Sequence, residues 1–260
     1  LLRKDMVVSR VTSWVFKATP YVVFASAASA ALLVPVVTTQ KIFGMQGDVI
    51  ALISVFALGR FFMALAGLDA GTAFGGEGSS REMTVAILVE PMMMLALFTA
   101  AITAGSTNIA SIASAQRAFS SPSHLLALSA LVVAIIAETG RVPVDNPDTH
   151  LELTMIHEGM VLEYCGRYLA LMEWAHYLKQ MVLFTVAVDI FLTVGLARSA
   201  GAGMAIPALI YAVKMTIMAA VMAAVESTRA KVRFFQLPSI LGGAFVLAFL
   251  ALVTHIMMGK

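Results

Sequence analysis

The chain has 260 residues, of which 60% are hydrophobic and 12% charged, with a mean hydropathy of +0.91; soluble domains carry about 25% charge, so a water-soluble enzyme is excluded. A net charge of +2, from 17 basic and 15 acidic residues, offers no footprint for nucleic acid, and the one cysteine, Cys165, cannot build a disulfide framework or a zinc or iron–sulfur site. At about 20 apolar residues per span, roughly seven spans fit. The expected fold is an all-α polytopic transmembrane helix bundle forming a single membrane domain over residues 1–260.

In chain order, long apolar runs predict spans at 20–39, 49–66, 83–104, 124–138, 180–198, 204–226 and 237–258. The fourth is short and ends at Glu138. The run of small residues from Ala25 to Ala31 favours close helix approach. With the first segment in the cytoplasm, the loops on that side hold Arg3, Lys4, Arg10, Lys17, Arg81, Arg141, Arg167, Lys179, Arg229, Lys231 and Arg233. The opposite side has only Lys41, Arg117, Arg198 and Lys260. This asymmetry orients the chain in an inner, cytoplasmic membrane by the positive-inside bias. The opening Leu1-Leu2-Arg3-Lys4 lacks an initiator Met and starts on a basic stretch, which predicts a preceding helix outside this sequence.

The main compositional break is a cytoplasmic loop from about 139 to 179, too rich in charge for lipid. Within it, Tyr168 to Ala175 reads as an amphipathic helix, with Trp174 and Tyr177 suited to the interface. The cluster Gly71, Gly75, Gly76 and Gly78 lacks the following Lys-Ser/Thr of a phosphate loop and reads as a flexible cytoplasmic turn. His157-Glu158 starts like a zinc-peptidase helix but has no second His four residues on, and no Gly-x-Ser-x-Gly elbow occurs. The sequence therefore gives no catalytic residue and no metal site. His150, His157 and His176 share the acidic loop without a metal-ligand spacing, and His124 and His255 read as interface residues at span ends.

Six ionisable groups remain inside or at the ends of spans: Arg60, Glu90, Glu138, Asp189, Lys214 and Glu226. Each costs on the order of 3 kcal/mol in lipid, so they are expected to face the bundle interior or a wet cavity. Asp189 and Lys214 lie near mid-membrane on consecutive antiparallel spans and are the expected ion pair. Static polar staples that lock helix packing account for any single one of these residues. Together, Glu90, Glu138, Asp189, Lys214 and Glu226 make a candidate proton pathway.

The string Ala137-Glu138-Thr139-Gly140-Arg141-Val142-Pro143-Val144-Asp145 resembles the E-T-x-R-x-P-x-D signature of the H subunit of bacterial respiratory complex I. Arg81, Glu90, the Ala104-Gly105-Ser106 segment, Glu163-Tyr164-Cys165-Gly166 and the basic turn from Arg229 to Leu237 extend that resemblance over nearly the whole chain. The middle of the loop differs: Asp148 and Glu152 keep two of three alternating acids, His150 replaces the third, and about three extra residues follow. From Asn146 to Glu158, from Gly67 to Gly76, and over Ser79-Ser80-Arg81-Glu82, the chain is more similar to the homologous membrane subunit of formate hydrogenlyase type, group 4 energy-converting nickel-iron hydrogenases.

That resemblance implies eight transmembrane helices and a subunit that couples rather than catalyses. It implies that cytoplasmic loops 67–82 and 139–179 dock the soluble redox module. It assigns docking or coupling roles to Arg81, Arg141, Asp145, Asp148, His150, Glu152, Glu158, Glu163 and Arg167. The implied partners are soluble hydrogenase large and small subunits, an iron–sulfur protein and antiporter-like membrane subunits, alongside the lipid bilayer. Iron–sulfur clusters and a nickel-iron centre belong to those partners, with no cofactor bound by this chain. Two other readings are a quinone-reactive complex I subunit and a stand-alone ion transporter; the absence of an inverted repeat and the charged loop argue against the latter.

Overall fold

The structure is a computed structural model that describes residues 12–36, 47–115, 121–145, 156–192, 205–228, 232 and 236–258. Its elements run α1 (Trp14–Leu33), α2 (Val49–Asp69), α3 (Ala73–Ala104), α4 (Ile109–Ala115), α5 (Pro122–Glu138), α6 (His157–Val161), α7 (Gly166–Phe191), α8 (Ala205–Thr228) and α9 (Leu237–Met258). Among the described residues, α1, α2, α3, α8 and α9 are long and apolar enough to cross a membrane. The expected fourth and fifth spans fall on α5, an apolar helix of 17 residues, and on α7, which carries Lys179 and Asp189. The protein is an all-α, multi-pass membrane bundle.

Helix starts follow from short polar side chains at the turns. Ser13 caps α1 by accepting from the Val15 N–H at 3.2 Å, and both its N–H and its hydroxyl donate to Asp69 Oδ2 at 2.8 and 2.9 Å, tying the start of α1 to the end of α2. Asp48 caps α2 and Thr72 caps α3 in the same manner. α3 is central and packs on α2, α5, α6 and α9. Its buried Val89, Met92, Met93, Ala96, Leu97 and Ala100 form the middle of the main core. The outer faces carry exposed Ile87, Leu209, Ile217 and Phe249, the apolar surface a membrane accepts and water does not.

Two expectations about connections are corrected. The glycine segment is not a flexible loop over 67–82: only the Ala70–Thr72 region is non-helical, and Gly75, Gly76 and Gly78 lie inside α3. Small residues there serve helix contact, since a Cβ on Gly75 would stand 2.4 Å from the Gly67 carbonyl oxygen, and Ser79 Oγ donates to the Ala64 carbonyl at 3.0 Å. Likewise, the amphipathic segment from Tyr168 is not a separate helix in a loop reaching to 179. It is the first half of α7, continuous with the expected span, and it lies along α1 with Tyr168 edge-on to Tyr21. The apolar packing on α1 removes any reason to break the helix.

Gly75→Ala should therefore lower thermal stability by about 1–3 kcal/mol by forcing α2 and α3 apart. Gly76→Ala, where an added Cβ meets nothing within 4 Å, should be neutral or slightly stabilising. Unfolding of both variants in detergent, followed side by side, checks this.

Candidate functional site: a buried ionic centre

The site is organised by the end of α5. Gly140 adopts φ of 54°, the left-handed conformation that glycine reaches without strain. Its N–H donates to the Ala137 carbonyl at 3.2 Å and the Arg141 N–H to the Ile136 carbonyl at 3.1 Å. That pair of bonds is a Schellman motif, so the Glu-Thr-Gly-Arg string is a helix stop. It leaves Glu138 buried in the last turn and sends Arg141 the other way, where Nη1 lies 3.6 Å from Glu226 of α8 and Nη2 donates to Gln180 of α7 at 3.0 Å. A carboxylate at a helix C-terminus opposes the helix dipole. Its neighbours must hold it.

They do so through Arg60, in the middle of α2. The Arg60 side chain is 3% exposed; its guanidinium bonds Glu90 of α3 through Nη1 and Glu138 of α5 through Nη2, and Nε lies 3.3 Å from Glu82 of α3. Lys179 of α7 completes the centre with Nζ 2.7 Å from Glu138 Oε1. Four helices thus meet at one centre. Three carboxylates face two cations, so full ionisation leaves one negative charge over between the helices. The Arg60–Glu82 contact is the loosest of the three, since Arg60 Nε is buried without a hydrogen bond.

A cavity of about 50 Å³ adjoins this centre, lined by Arg60, Glu82, Glu138, Lys179, Asp145, His157 and His176 among others. That volume holds a few water molecules. A second recess of about 140 Å³, bounded by Arg141, Glu158, Glu173 and Tyr177, shares Asp145, His157 and His176 as its wall. Asp145 is 3% exposed; its Oδ2 accepts from the Ile156 and His157 N–H groups at 3.2 and 3.3 Å, which fixes the start of α6 against the turn after α5. The His157 and His176 rings stand 4.8 Å apart. Burial, with Lys179 adding to it, pushes His157 below the ordinary histidine range. Burial, His157, Lys179 and Arg141 together push His176 down to about 2. Both rings are neutral at physiological pH.

Deeper in the bundle, Lys214 Nζ of α8 lies 3.3 Å from Asp189 Oδ1 of α7, while Asp189 Oδ2 is buried without a partner. The pair expected from sequence does meet. Ten residues of α7 separate Asp189 from Lys179, about 15 Å of rise. Between them Thr185 Oγ1 lies 2.8 Å from the Tyr211 hydroxyl. α7 is the strip that joins the two charged groups.

The sequence-derived candidates divide accordingly. Glu90 and Glu138 are in the centre, Arg141 and Glu226 form the adjacent pair, Asp145 and Glu158 line the recesses, and Asp189 pairs with Lys214. Arg81 bonds Glu77 one turn away on α3, and Glu163 and Arg167 stand exposed at the α6–α7 turn, with Arg167 over the Tyr168 ring at 5.4 Å. These three lie outside the cavity lining. Asp148, His150 and Glu152 lie outside the described residues. Arg60 as hub, Glu82, Lys179, His157 and His176 join the site only in the fold. A cation inside the apolar run Ala57 to Phe62 was the available signal for Arg60. Among the described residues no group of three or more His, Cys, Asp or Glu could hold a metal ion.

This bundle, with a charge network buried between its helices, is that of an integral membrane protein. The NADH dehydrogenase family description matches residues 1–258, and the chain belongs to that family. It is 37% identical over 258 residues to formate hydrogenlyase subunit 4 of Escherichia coli strain K12, covering 98% of this chain and 83% of the relative. It is 36% identical over 256 residues to hydrogenase-4 component C of the same organism, covering 97% and 80%. A subunit of the NADH-quinone oxidoreductase of Koribacter versatilis is 27% identical over 208 residues, covering 74% of this chain and 47% of that protein. The fold matches a chain of the membrane-bound sulfane sulfur reductase, an archaeal respiratory membrane complex, with a TM-score of 0.85 at 15% identity over 97% of this chain and 83% of that one.

Removing the hub while leaving its carboxylates buried should cost about 3–5 kcal/mol. Arg60→Gln is thus expected to reduce the amount of folded, membrane-extracted protein and its unfolding temperature, read by fluorescence-detected chromatography across a heating series. For His176 the folded-state pKa is depressed, so acid favours the unfolded chain as pH falls through the ordinary histidine value of about 6.5. Between pH 7 and pH 5 the wild type should lose about 2 kcal/mol more stability than His176→Gln, measured as the difference in unfolding temperature at the two pH values.

Proposed function

We propose that this chain is the membrane-anchor and ion-coupling subunit of a membrane-bound nickel-iron hydrogenase complex. It links electron transfer in docked soluble subunits to movement of protons, or of sodium ions, across the membrane. The observation that carries this reading is the Arg60 centre: a surplus carboxylate, a water-sized cavity and a helix strip toward a second buried ion pair, in a chain 37% and 36% identical to two hydrogenase-system proteins. The NADH-quinone oxidoreductase relative from Koribacter versatilis is 27% identical and matches over 74% of the chain, which ranks the quinone-reactive reading second.

In this reading the soluble hydrogenase subunits and their iron–sulfur protein dock on the cytoplasmic side, over the α2–α3 corner and the region 139–179. The iron–sulfur clusters and the nickel-iron centre reside in those partners. A change of charge or packing there reaches Arg141, Asp145 and Glu158 first, because they line the outer recess. Asp145 and the neutral His157 and His176 form the wall that the two recesses share, so a shift in them alters the field at Glu138 and Glu82. One carboxylate of the centre then takes up or releases a proton, and the displaced charge is felt along α7 toward Asp189 and Lys214, with Glu90 and Glu226 as flanking acceptors. Antiporter-like membrane subunits on the lipid-facing side would carry the ion onward. The coupling is electrostatic and reciprocal, as any linkage between two sites must be.

The test is made on the whole complex, purified through this subunit. Nickel near one per complex with abundant iron is expected, and in proteoliposomes Glu90→Gln should lower the number of protons moved per hydrogen molecule turned over. Iron without nickel would replace the hydrogenase reading by the quinone-linked one. An unchanged proton ratio in the variant would remove Glu90 from the path.

A further inference from the structure

The end of the bundle opposite the Arg60 centre holds a second polar cluster that the coupling reading does not use. On α5, His124 is fourteen residues from Glu138, and on α3, Thr103 is thirteen residues from Glu90. Each interval is about 20 Å at 1.5 Å per residue. The third contributor is His255, in the last turn of α9.

These side chains close a ring. Ser121 Oγ lies 2.6 Å from His124 Nδ1 and 2.7 Å from Ser123 Oγ. Ser123 Oγ lies 3.3 Å from His255 Nδ1. The two remaining ring nitrogens converge on one hydroxyl: Thr103 Oγ1 is 3.2 Å from His255 Nε2 and 3.4 Å from His124 Nε2. A sixth contact leaves the ring, from Thr103 Oγ1 to the Thr99 carbonyl at 3.4 Å. The imidazoles are edge to face, with centroids 5.6 Å apart. His124 and Ser123 are buried, His255 is half-buried and Thr103 is exposed.

Counting protons decides what this ring can do. With both imidazoles neutral, three hydroxyls and two rings supply five protons, enough for the five links of the ring, and the Thr99 carbonyl contact goes unmade. One added proton satisfies all six contacts at once. His124 then donates from Nδ1 to Ser121 and from Nε2 to Thr103, Ser121 donates to Ser123, Ser123 to His255 Nδ1, His255 Nε2 to Thr103, and Thr103 to the Thr99 carbonyl. A second added proton would set two imidazoliums against each other with ring centroids 5.6 Å apart, and would reverse the Ser121–Ser123 and Ser123–His255 links, so like-charge repulsion opposes it. We infer that this ring is a site that binds and releases a single proton at the end of the bundle remote from the redox-linked centre.

Its exchange with water runs through Thr103. On release, the Thr103 proton passes to water, the His124 Nε2 proton moves to Thr103 Oγ1, and the new hydroxyl donates back to His124 Nε2. One proton leaves, the Thr103 hydrogen bond to the Thr99 carbonyl is lost, the other four ring links keep their direction, and the charge lost is one. Among the described residues, the turns of α3, α5 and α9 that meet here contain no other ionisable side chain. His124 and His255 are therefore the titrating pair, and the proton belongs to the ring rather than to either residue. The inference stands on this geometry and survives whether or not the Arg60 centre couples to a redox partner.

The experiment is infrared difference spectroscopy of the intact complex, with the histidines of this subunit isotope-labelled, titrated from pH 8 to pH 5. Bands of the His124→Gln/His255→Gln double variant are subtracted to isolate the pair. The wild type should gain one imidazolium with one midpoint. Thr103→Val removes the acceptor for both Nε2–H groups and should lower proton affinity at least about tenfold, moving the midpoint one pH unit or more toward acid. Thr103→Ser should restore it. Position 103 is exposed, so the Thr103 variants provide a comparison even where the double variant fails to assemble. No imidazolium or two in the wild type, or a Thr103→Val midpoint equal to that of the wild type, would overturn the inference.

Discussion

One guanidinium in an apolar helix fixes much of the rest. Arg60 stands where α2 has only Ala, Leu, Gly and Phe for neighbours in sequence, and an unpaired cation there would not be tolerated. The fold answers by bringing α3 and α5 to it with three carboxylates, and α7 follows because Lys179 balances Glu138. Helix positions that apolar packing alone would leave free to slide are pinned by charge. In a membrane, where water competes little for these groups, that constraint is stronger than it would be at a soluble surface.

Backbone chemistry and charge placement cooperate at the end of α5. A glycine stop allows Glu138 and Arg141, three residues apart, to point to different partners, one into the bundle and one toward α7 and α8. Without a left-handed residue at 140 the helix would continue, and Arg141 would follow Glu138 round the same cylinder. The close crossing at Gly67 and Gly75 acts in the same sense, since it lets α2 and α3 approach until Arg60 reaches Glu82 and Glu90. Small residues set distances, and the charges use them.

α3 and α5 carry polar sites at both ends. Near one end lies the ionic centre, about 20 Å from the histidine and hydroxyl ring. The stretch between them is filled with Met92, Met93, Leu97, Leu131 and Ile135, all buried and apolar. That apolar stretch separates the two polar sites. By contrast α7 has Thr185 and Asp189 below Lys179, which makes it the polar side of the bundle.

The sequence by itself determined the class of fold, the family and a part of the site. Apolar runs of span length, ionisable residues set within them and the Glu-Thr-Gly-Arg string are local properties, and each has a direct physical meaning without a partner. Pairing of Asp189 with Lys214 was legible for the same reason, since two opposite charges at equal depth on consecutive spans have few alternatives. Tertiary structure decided the rest. Arg60 became a hub only when residues 22, 30 and 78 positions away were folded onto it. The glycine segment read as a flexible turn because period and composition do not reveal that a neighbouring helix needs the missing side chains. His124 and His255, 131 positions apart, read as unrelated interface residues until α5 and α9 placed their rings side by side. Sequence states the cost of each buried polar group; only the packing of helices decides which other group meets it.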